Sequence, residues 1–569
     1  MTNSPPSAPP SGTAGDHPAA GRGAPTLKLL AILALALLVR VGAVFVMGPV
    51  DPLMGDAREY FSQSLRIANG DDYTWNRAPG YAAVLAAAQR ALMGPSEHLV
   101  DYDLLRHELP PDHPGYEEQQ RRVRICQGLN VAFSLLAIVG VYGMGCAMQG
   151  SRLGLLGALL VALDPRYVTH PFFPIVDNVH WPMVVWSLLT LVWCVRRPSW
   201  GRGLLTGAVA GLTTLVRSIG LYFLPLAALV LVFRGGGSRR RNVAAAAVMI
   251  AANFLVILPW TYRNGQRFGR FVLVSYDDGN PILMGNTTKE DKEKILDEIR
   301  DEVRVRPGSG VPDEIVAIER NAEARRRGLD IVRQRQPWWF YEKVLEVGPR
   351  IVRPGGWLMS RGGEDPERFG TWGVRAIAAL FVSTGLGVLL LAGVGLALRR
   401  FSVADGVLWS FVAYLTLVHL ATHFGPIRFH LPFFWILLLY AACLFVERAR
   451  WSVGRAALLS LWFGAMGCAQ VATYRSETEK SDRFEDRTQR KLDRQNEDES
   501  RVEAVERRAN RVGRDEGTKD PKSKSRESRR RAEPRGRALE DPGVSRKQGG
   551  QKRERSGKKK SDGKREPLP

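Results

Sequence analysis

Residues 29–48 read LLAILALALLVRVGAVFVMG, and the chain runs on through Pro49–Met54 to Gly55-Asp56-Ala57-Arg58-Glu59-Tyr60. An apolar run of roughly 20 residues is long enough to cross about 30 Å of hydrocarbon as a helix. It carries one charge, Arg40. It is too long for a cleaved signal, and no small-residue cleavage site follows it cleanly. A carboxylate, Asp56, therefore stands at the mouth of a membrane span and opens a short amphipathic segment.

Further apolar runs lie near 125–147, 153–168, 178–195, 203–217, 219–233, 243–261, 376–398, 404–422, 427–446 and 456–473. The expected fold is an all-α polytopic membrane protein with about 10–11 transmembrane helices, two large outer-face segments and a disordered basic C-terminal tail. The runs 203–217 and 219–233 are short and share a tight junction, so they read as a tilted hairpin or two partial spans. Arg196-Arg197, Arg202, Arg234, Arg239-Arg240-Arg241, Arg399-Arg400 and Arg448 thread to one side. The positive-inside rule makes that side cytoplasmic. The segments 49–124 and 262–375 then lie outside, each too long for a plain connection. The expected location is the cytoplasmic (inner) cell membrane, crossed many times.

The formal net charge of +22 averages over unlike regions. From Arg475 to Pro569 the chain has 31 Lys and Arg against 21 Asp and Glu, with Phe484 as its one aromatic residue. Such a tail cannot bury enough apolar surface to offset its ordering entropy. The expected organisation is a disordered tail over 1–26, a membrane domain over 27–474 and a disordered tail over 475–569. No glycine-rich phosphate loop or zinc-finger spacing stands out, and no inner loop is long enough for a nucleotide-binding domain. No nucleic-acid partner is expected. Cys126, Cys146, Cys194, Cys443 and Cys468 fall in or beside spans without CxxC spacing, as small apolar packing residues do.

The outer face gathers ionisable groups. Asp56 precedes a helix-like stretch to Asn69 with Phe61, Leu65 and Ala68 on one face. Asp177 lies among apolar residues in Phe172-Phe173-Pro174-Ile175-Val176-Asp177-Asn178. Each aspartate also suits a helix N-cap. Arg217, Arg263 and Arg428 sit at outer ends of spans, where the positive-inside rule does not put them. Snorkelling would explain any one of them. Together, beside two carboxylates, they favour an anionic lipid-linked ligand, since guanidinium holds phosphate through paired hydrogen bonds. His419 and His423 share a helix face, with His430 beyond. That spacing suits a metal, but no adjacent Glu or third ligand follows in sequence, so no metal site and no cofactor are assigned. In 262–375, Lys289–Val305 and Asp313–Gln334 read as charged amphipathic helices. Pro337-Trp338-Trp339-Phe340-Tyr341 reads as an interfacial aromatic anchor.

Gly55-Asp56 through Tyr60, Arg77-Ala78-Pro79-Gly80-Tyr81, Leu215-Val216-Arg217, Pro259-Trp260-Thr261-Tyr262-Arg263-Asn264, Gly285-Asn286 and Arg428-Phe429-His430-Leu431-Pro432 occur in this order. As an ordered set over about residues 29–446, they resemble the GT-C superfamily of polytopic glycosyltransferases. The likeness is greatest to the protein O-mannosyltransferase and lipid A aminoarabinose transferase branch. The resemblance implies transfer of a sugar from a polyprenyl-phosphate-linked donor, outside the cytoplasmic membrane, to a protein, lipid or glycan acceptor. It implies Asp56 as the catalytic carboxylate and Asp177 as a second acid. Glu59, Tyr60, Arg77, Tyr81 and His430 are further site candidates from the motifs. Many relatives carry adjacent Asp-Glu where this chain has Asp56-Ala57, its nearest glutamate being Glu59. The alternative is a transporter or flippase of lipid-linked intermediates, with the same arginine-lined cavity and no catalytic acid. A scaffold serving the basic tail is a third reading.

Overall fold

The computed structural model describes residues 23–48, 51–53, 55–102, 109–303, 313–347, 366–422, 430–446, 454–455 and 457–465. They belong to the first of two compact units, Met1–Ser481. The expected tail over 475–569 lies outside the described residues, as does that over 1–26 up to Arg22. Residues 23–26 already belong to the first helix. Among the described residues there are helices and loops but no strands.

The first candidate span, α1 (Gly23–Val46), leaves many leucines exposed, as a lipid-facing helix does. Beyond it come α2 (Asp56–Asn69) and α3 (Gly80–Met93), which lie against each other. They share a small core of Tyr60, Phe61, Leu65, Tyr81 and Leu85. The left-handed Gly70 (φ 93°) ends α2, its N–H closing on Ile67 O, as glycine does at helix C-termini. The next span, α4 (Tyr116–Met148), starts well before the apolar run at 125. Its outer turns are polar but anchored. Buried Arg122 pairs with Glu118 and donates to Gly94 O at 3.0 Å.

The expected span 153–168 is broken. α5 (Ser151–Leu163) stops at extended Asp164, and α6 (Pro165–Thr169) follows. Proline has no N–H for the carbonyl four residues back, which here is Val161. Buried Arg40 of α1 supplies what is missing. It donates to Val161 O at 3.3 Å, Ala162 O at 2.9 Å and Ser134 Oγ at 2.7 Å. A charge at membrane depth is thus used to satisfy orphan carbonyls.

The expected pair 203–217 and 219–233 resolves into two short helices. After α7 (Asp177–Arg196), α8 (Trp200–Val216) ends at extended Arg217. A 3-10 segment, Ser218–Phe223, leads into α9 (Leu224–Arg234). α10 (Arg239–Phe268) packs closely along α8. Gly203, Gly207 and Gly211, four residues apart on one face of α8, allow this. A Cβ on Gly203 would stand 2.5 Å from Ala245 O, and one on Gly211 would stand 2.9 Å from Asn253 O. Small residues at this spacing let membrane helices approach backbone to backbone.

The second outer segment folds as α11 (Gly279–Asn286), α12 (Lys289–Glu302), α13 (Asp313–Gln334) and α14 (Trp338–Glu346). Three apolar helices close the chain: α15 (Pro366–Leu398), α16 (Val403–Thr422) and α17 (Leu431–Cys443). Every residue of α17 is buried, so this very apolar helix is the centre of the core. Among the described residues six helices are long and apolar enough to cross a membrane, while Ser151–Leu163, Ser218–Arg234 and Leu431–Cys443 are shorter. The protein is an all-α, multi-pass membrane protein.

Candidate functional site

Gly55, at φ 57°, turns the chain into α2 and leaves Asp56 as the first helical residue. Asp56 is therefore not the N-cap, and no side-chain cap hydrogen bond forms there. Asp177 likewise is the first residue of α7, behind its N-cap Val176. Both carboxylates face partners across the fold.

Gly80 brings the second element in. A Cβ there would lie 2.7 Å from Leu215 O, so α3 starts directly on the backbone of the last turn of α8. That contact sets Arg77 near Arg217. Arg77 donates from Nη1 to Asp56 Oδ2 at 3.1 Å and packs its guanidinium over Trp75. Arg217 donates from Nη1 to Asp177 Oδ1 at 2.7 Å.

The third element is the extended stretch 271–276, which returns along the end of α10. Trp260 Nε1 donates to Val274 O at 2.9 Å, Thr261 Oγ1 to Leu273 O at 2.7 Å and Asn264 Nδ2 to Val272 O at 3.2 Å. The polar side chains of Pro259-Trp260-Thr261-Tyr262-Arg263-Asn264 thus thread this return. Tyr276 N then donates to Asn76 O at 3.1 Å, and Ser275 Oγ to Ser218 Oγ at 3.0 Å. The neighbours of Arg77 and Arg217 are therefore tied to the neighbours of Asp277. As a result Asp277 Oδ2 lies 3.4 Å from Arg77 Nε. One guanidinium lies between two carboxylates from segments far apart in the chain.

These groups line a cavity of about 530 Å³. Asp56, Tyr60, Arg77, Arg217 and Asp277 form its charged end. Ile318, Asn321 and Arg325 of α13 form another wall, and Val418 and Thr422 of α16 a third. Burial pushes the Asp277 carboxyl above its ordinary value, and Arg77 and Arg217 pull it part of the way back.

The expected site residues divide accordingly. Asp56, Tyr60, Arg77 and Arg217 meet in the cavity. Asp177 is fully buried behind Arg217. Arg263 is not among the cavity residues. It donates to Tyr73 O at 2.7 Å and stacks on Trp260. Tyr81 is buried under Tyr60, its hydroxyl 3.1 Å from Asn130 Oδ1. Glu59 is half-buried on α2. His430 is buried against Phe434. Arg428 and His423 lie outside the described residues, and among those described no cluster of three or more His, Cys, Asp or Glu could hold a metal.

Sequence reading passed over Asp277. Its signal was the acid pair Asp277-Asp278 just before α11, but nothing local says that residue 277 returns to residue 77.

Residues 117–262 match the family model for dolichyl-phosphate-mannose-protein mannosyltransferase. No curated protein sequence matches the chain. Among solved structures, it is similar to the oligosaccharyltransferase AglB of Archaeoglobus fulgidus in complex with an inhibitory peptide and a dolichol-phosphate. That likeness has 17% identity and a TM-score of 0.43, covering 79% of this chain and 56% of that one. The apo form of the Archaeoglobus fulgidus oligosaccharyltransferase is similar at 16% identity and a TM-score of 0.45, with 78% and 56% covered. ArnT of Cupriavidus metallidurans bound to undecaprenyl phosphate is similar at 16% identity and a TM-score of 0.34, with 73% and 78% covered. The chain spans just over half the length of the oligosaccharyltransferase chains it matches. The match over 117–262 runs from the start of α4 to the last turns of α10 and is to a family of membrane glycosyltransferases.

Proposed function

We propose that the protein transfers a sugar from a polyprenyl-phosphate-linked donor to an acceptor at the outer face of the cytoplasmic membrane. The observation that carries this reading is the convergence of Asp56, Arg77 and Arg217 on one cavity beside the membrane. The basic short loops set the orientation. The family match speaks for transfer rather than transport.

The chemistry follows from the residue types. The acceptor oxygen attacks the anomeric carbon while the bond from that carbon to the phosphate oxygen breaks. Polyprenyl phosphate leaves as an anion that needs little protonation, so its departure is helped by cations aimed at its oxygens. Arg217 fits this role: buried Asp177 fixes one side of it while part of it faces the cavity. Asp177 orients that arginine. Asp56, at the opposite side of Arg77, takes the proton of the acceptor nucleophile. The wall from α13 is where the acceptor is chosen, because the span framework is committed to the donor. The membrane domain over 27–474 suffices for the reaction, and the tails are dispensable.

The test is to incubate purified protein with undecaprenyl-phosphate monosaccharides, hexosyl and pentosyl, and to follow release of undecaprenyl phosphate with each acceptor class. Release that depends on Asp56 supports the reading. A folded protein that releases none from the whole panel, or whose Asp56→Asn variant turns over like the wild type, refutes it.

A further inference from the structure

Arg77 is restrained from two directions. Its Nη1 meets Asp56 Oδ2 at 3.1 Å and its Nε meets Asp277 Oδ2 at 3.4 Å. These are different edges of one planar fork. A guanidinium held on both edges cannot turn to grip either carboxylate bidentately. Asp277 thus limits how tightly Arg77 can hold Asp56.

The next residue faces the other way. Asp278 accepts from Asn321 Nδ2 at 2.9 Å and from Arg325 Nη1 at 2.9 Å, both on α13. Asn321 Oδ1 also accepts from Gly279 N at 2.9 Å, the first turn of α11. Gly279 has no room for a side chain against α13: a Cβ there would stand 2.8 Å from Arg325 N. The stretch 277–279 is therefore seated on α13 by one side and on Arg77 by the other.

We propose that Asp277 is a positioning residue of the transfer site, shared with Asp56 through Arg77 and set in place from α13. This rests on the reading of Asp56 as the base. Its consequence is that Arg77 is kept from gripping Asp56 bidentately, and that the seating of α13 reaches the reacting end of the cavity. The charged and titratable groups around this pair are Arg77 and Tyr60 about Asp56, and Arg77, Arg217, Asp278, Tyr73 and Tyr276 about Asp277, with Arg217 also beside Tyr60. Removing the Asp277 charge takes away a like charge and frees Arg77 for Asp56. Both changes favour the charged carboxylate form of Asp56.

The experiment compares the wild type, Asp277→Asn, Asp277→Glu and Asn321→Ala in detergent with undecaprenyl-phosphate monosaccharides. In Asp277→Asn the acid limb of kcat/KM is expected to move down by about one pH unit. Its kcat should fall about tenfold, within the range of general-base effects, with no rise in donor KM. Asp277→Glu should keep the wild-type limb and most of the rate. Asn321→Ala should move the limb the same way by less, and it carries the test if Asp277→Asn does not fold. Binding of undecaprenyl phosphate alone gives a readout free of turnover, and Asp277→Asn should bind it several-fold more tightly because the cavity has lost a negative charge beside Arg217. A folded Asp277→Asn protein with wild-type limb, kcat and undecaprenyl phosphate affinity overturns the inference. If at the same time Asp56→Asn is inactive, the reading of the site stands and only the role of Asp277 falls.

Discussion

Arg217 Nη1 stands 2.7 Å from Asp177 Oδ1, joining the extended residue that ends α8 to the first residue of α7. Asp177 is wholly buried, while about a quarter of the Arg217 side chain is exposed. Removing one member of a buried pair leaves the other charge uncompensated, at a cost of about 3–5 kcal/mol. Arg217→Ala should therefore lower thermal stability strongly, and Arg217→Ala with Asp177→Asn should recover much of the loss. Melting curves of both in detergent check this. Neither should transfer sugar at the wild-type rate.

Asp56→Asn should fold and insert normally, because Asp56 is partly exposed and lies within α2, beyond its N-cap Gly55. Turnover should drop by roughly 10²–10⁴, the range for loss of general-base help. Single-turnover release of polyprenyl phosphate measures it.

Asp277 yields a prediction of opposite sign for stability. Burial raises its folded pKa above the ordinary 3.8. A carboxyl whose pKa is raised on folding supports the fold fully below its unfolded pKa, and that support is lost as pH climbs through the folded value. Asp277→Asn should therefore melt at or above the wild-type temperature at pH 7, and this advantage should vanish toward pH 4. Melting scans across that window decide it. A variant that is more stable yet slower fits a group kept for function.

Gly80→Val should separate α3 from α8. The added carbon atoms meet the Leu215 carbonyl, which is backbone and cannot rotate aside. Overpacking of this kind costs about 1–3 kcal/mol. Because Arg77 rides on the same segment, transfer should fall by more than the loss of folded protein explains. Activity normalised to the folded fraction tests this.

Arg325→Glu should alter acceptor use more than it alters donor affinity. Arg325 lines the cavity from α13, away from the Arg217 end, and its partner Asp278 would then face a like charge. Acceptor KM measured at saturating donor, set beside undecaprenyl phosphate binding, separates the two effects.

Much of this fold could be read from the sequence because a bilayer restricts the choices. Apolar length, basic short loops and two long outer segments follow from it directly. Asp313–Gln334 falls where its amphipathic pattern put it. The break at Asp164-Pro165 was hidden because the residues on both sides are apolar, and the continuity of the run outweighed one proline. At the site, Arg77 came with the motifs of the family resemblance, and Asp56 and Arg217 were visible as charges at or near span ends. Arg263 carried the same signal, yet its side chain turns to Trp260 and Tyr73. Position along a helix says nothing about rotation around it. Asp277 depends on backbone bonds from 276 to 76 and on the Ser275–Ser218 contact, and pairings at that sequence distance leave no local trace.

Arg40 gives the chain a problem of timing. Its carbonyl partners at Val161 and Ala162 are made more than a hundred residues later, so α1 must enter the bilayer before they exist. An unpartnered arginine at mid-membrane costs a helix about 2.5–3.5 kcal/mol on the translocon insertion scale. The strongly apolar remainder of α1 is enough to hold it there. Synthesis through α5 then converts a loosely inserted helix into a docked one. In nascent chains arrested before and after residue 169, crosslinks from α1 to lipid should give way to crosslinks to α5, and an Arg40→Leu chain should insert more readily but fail to make that exchange.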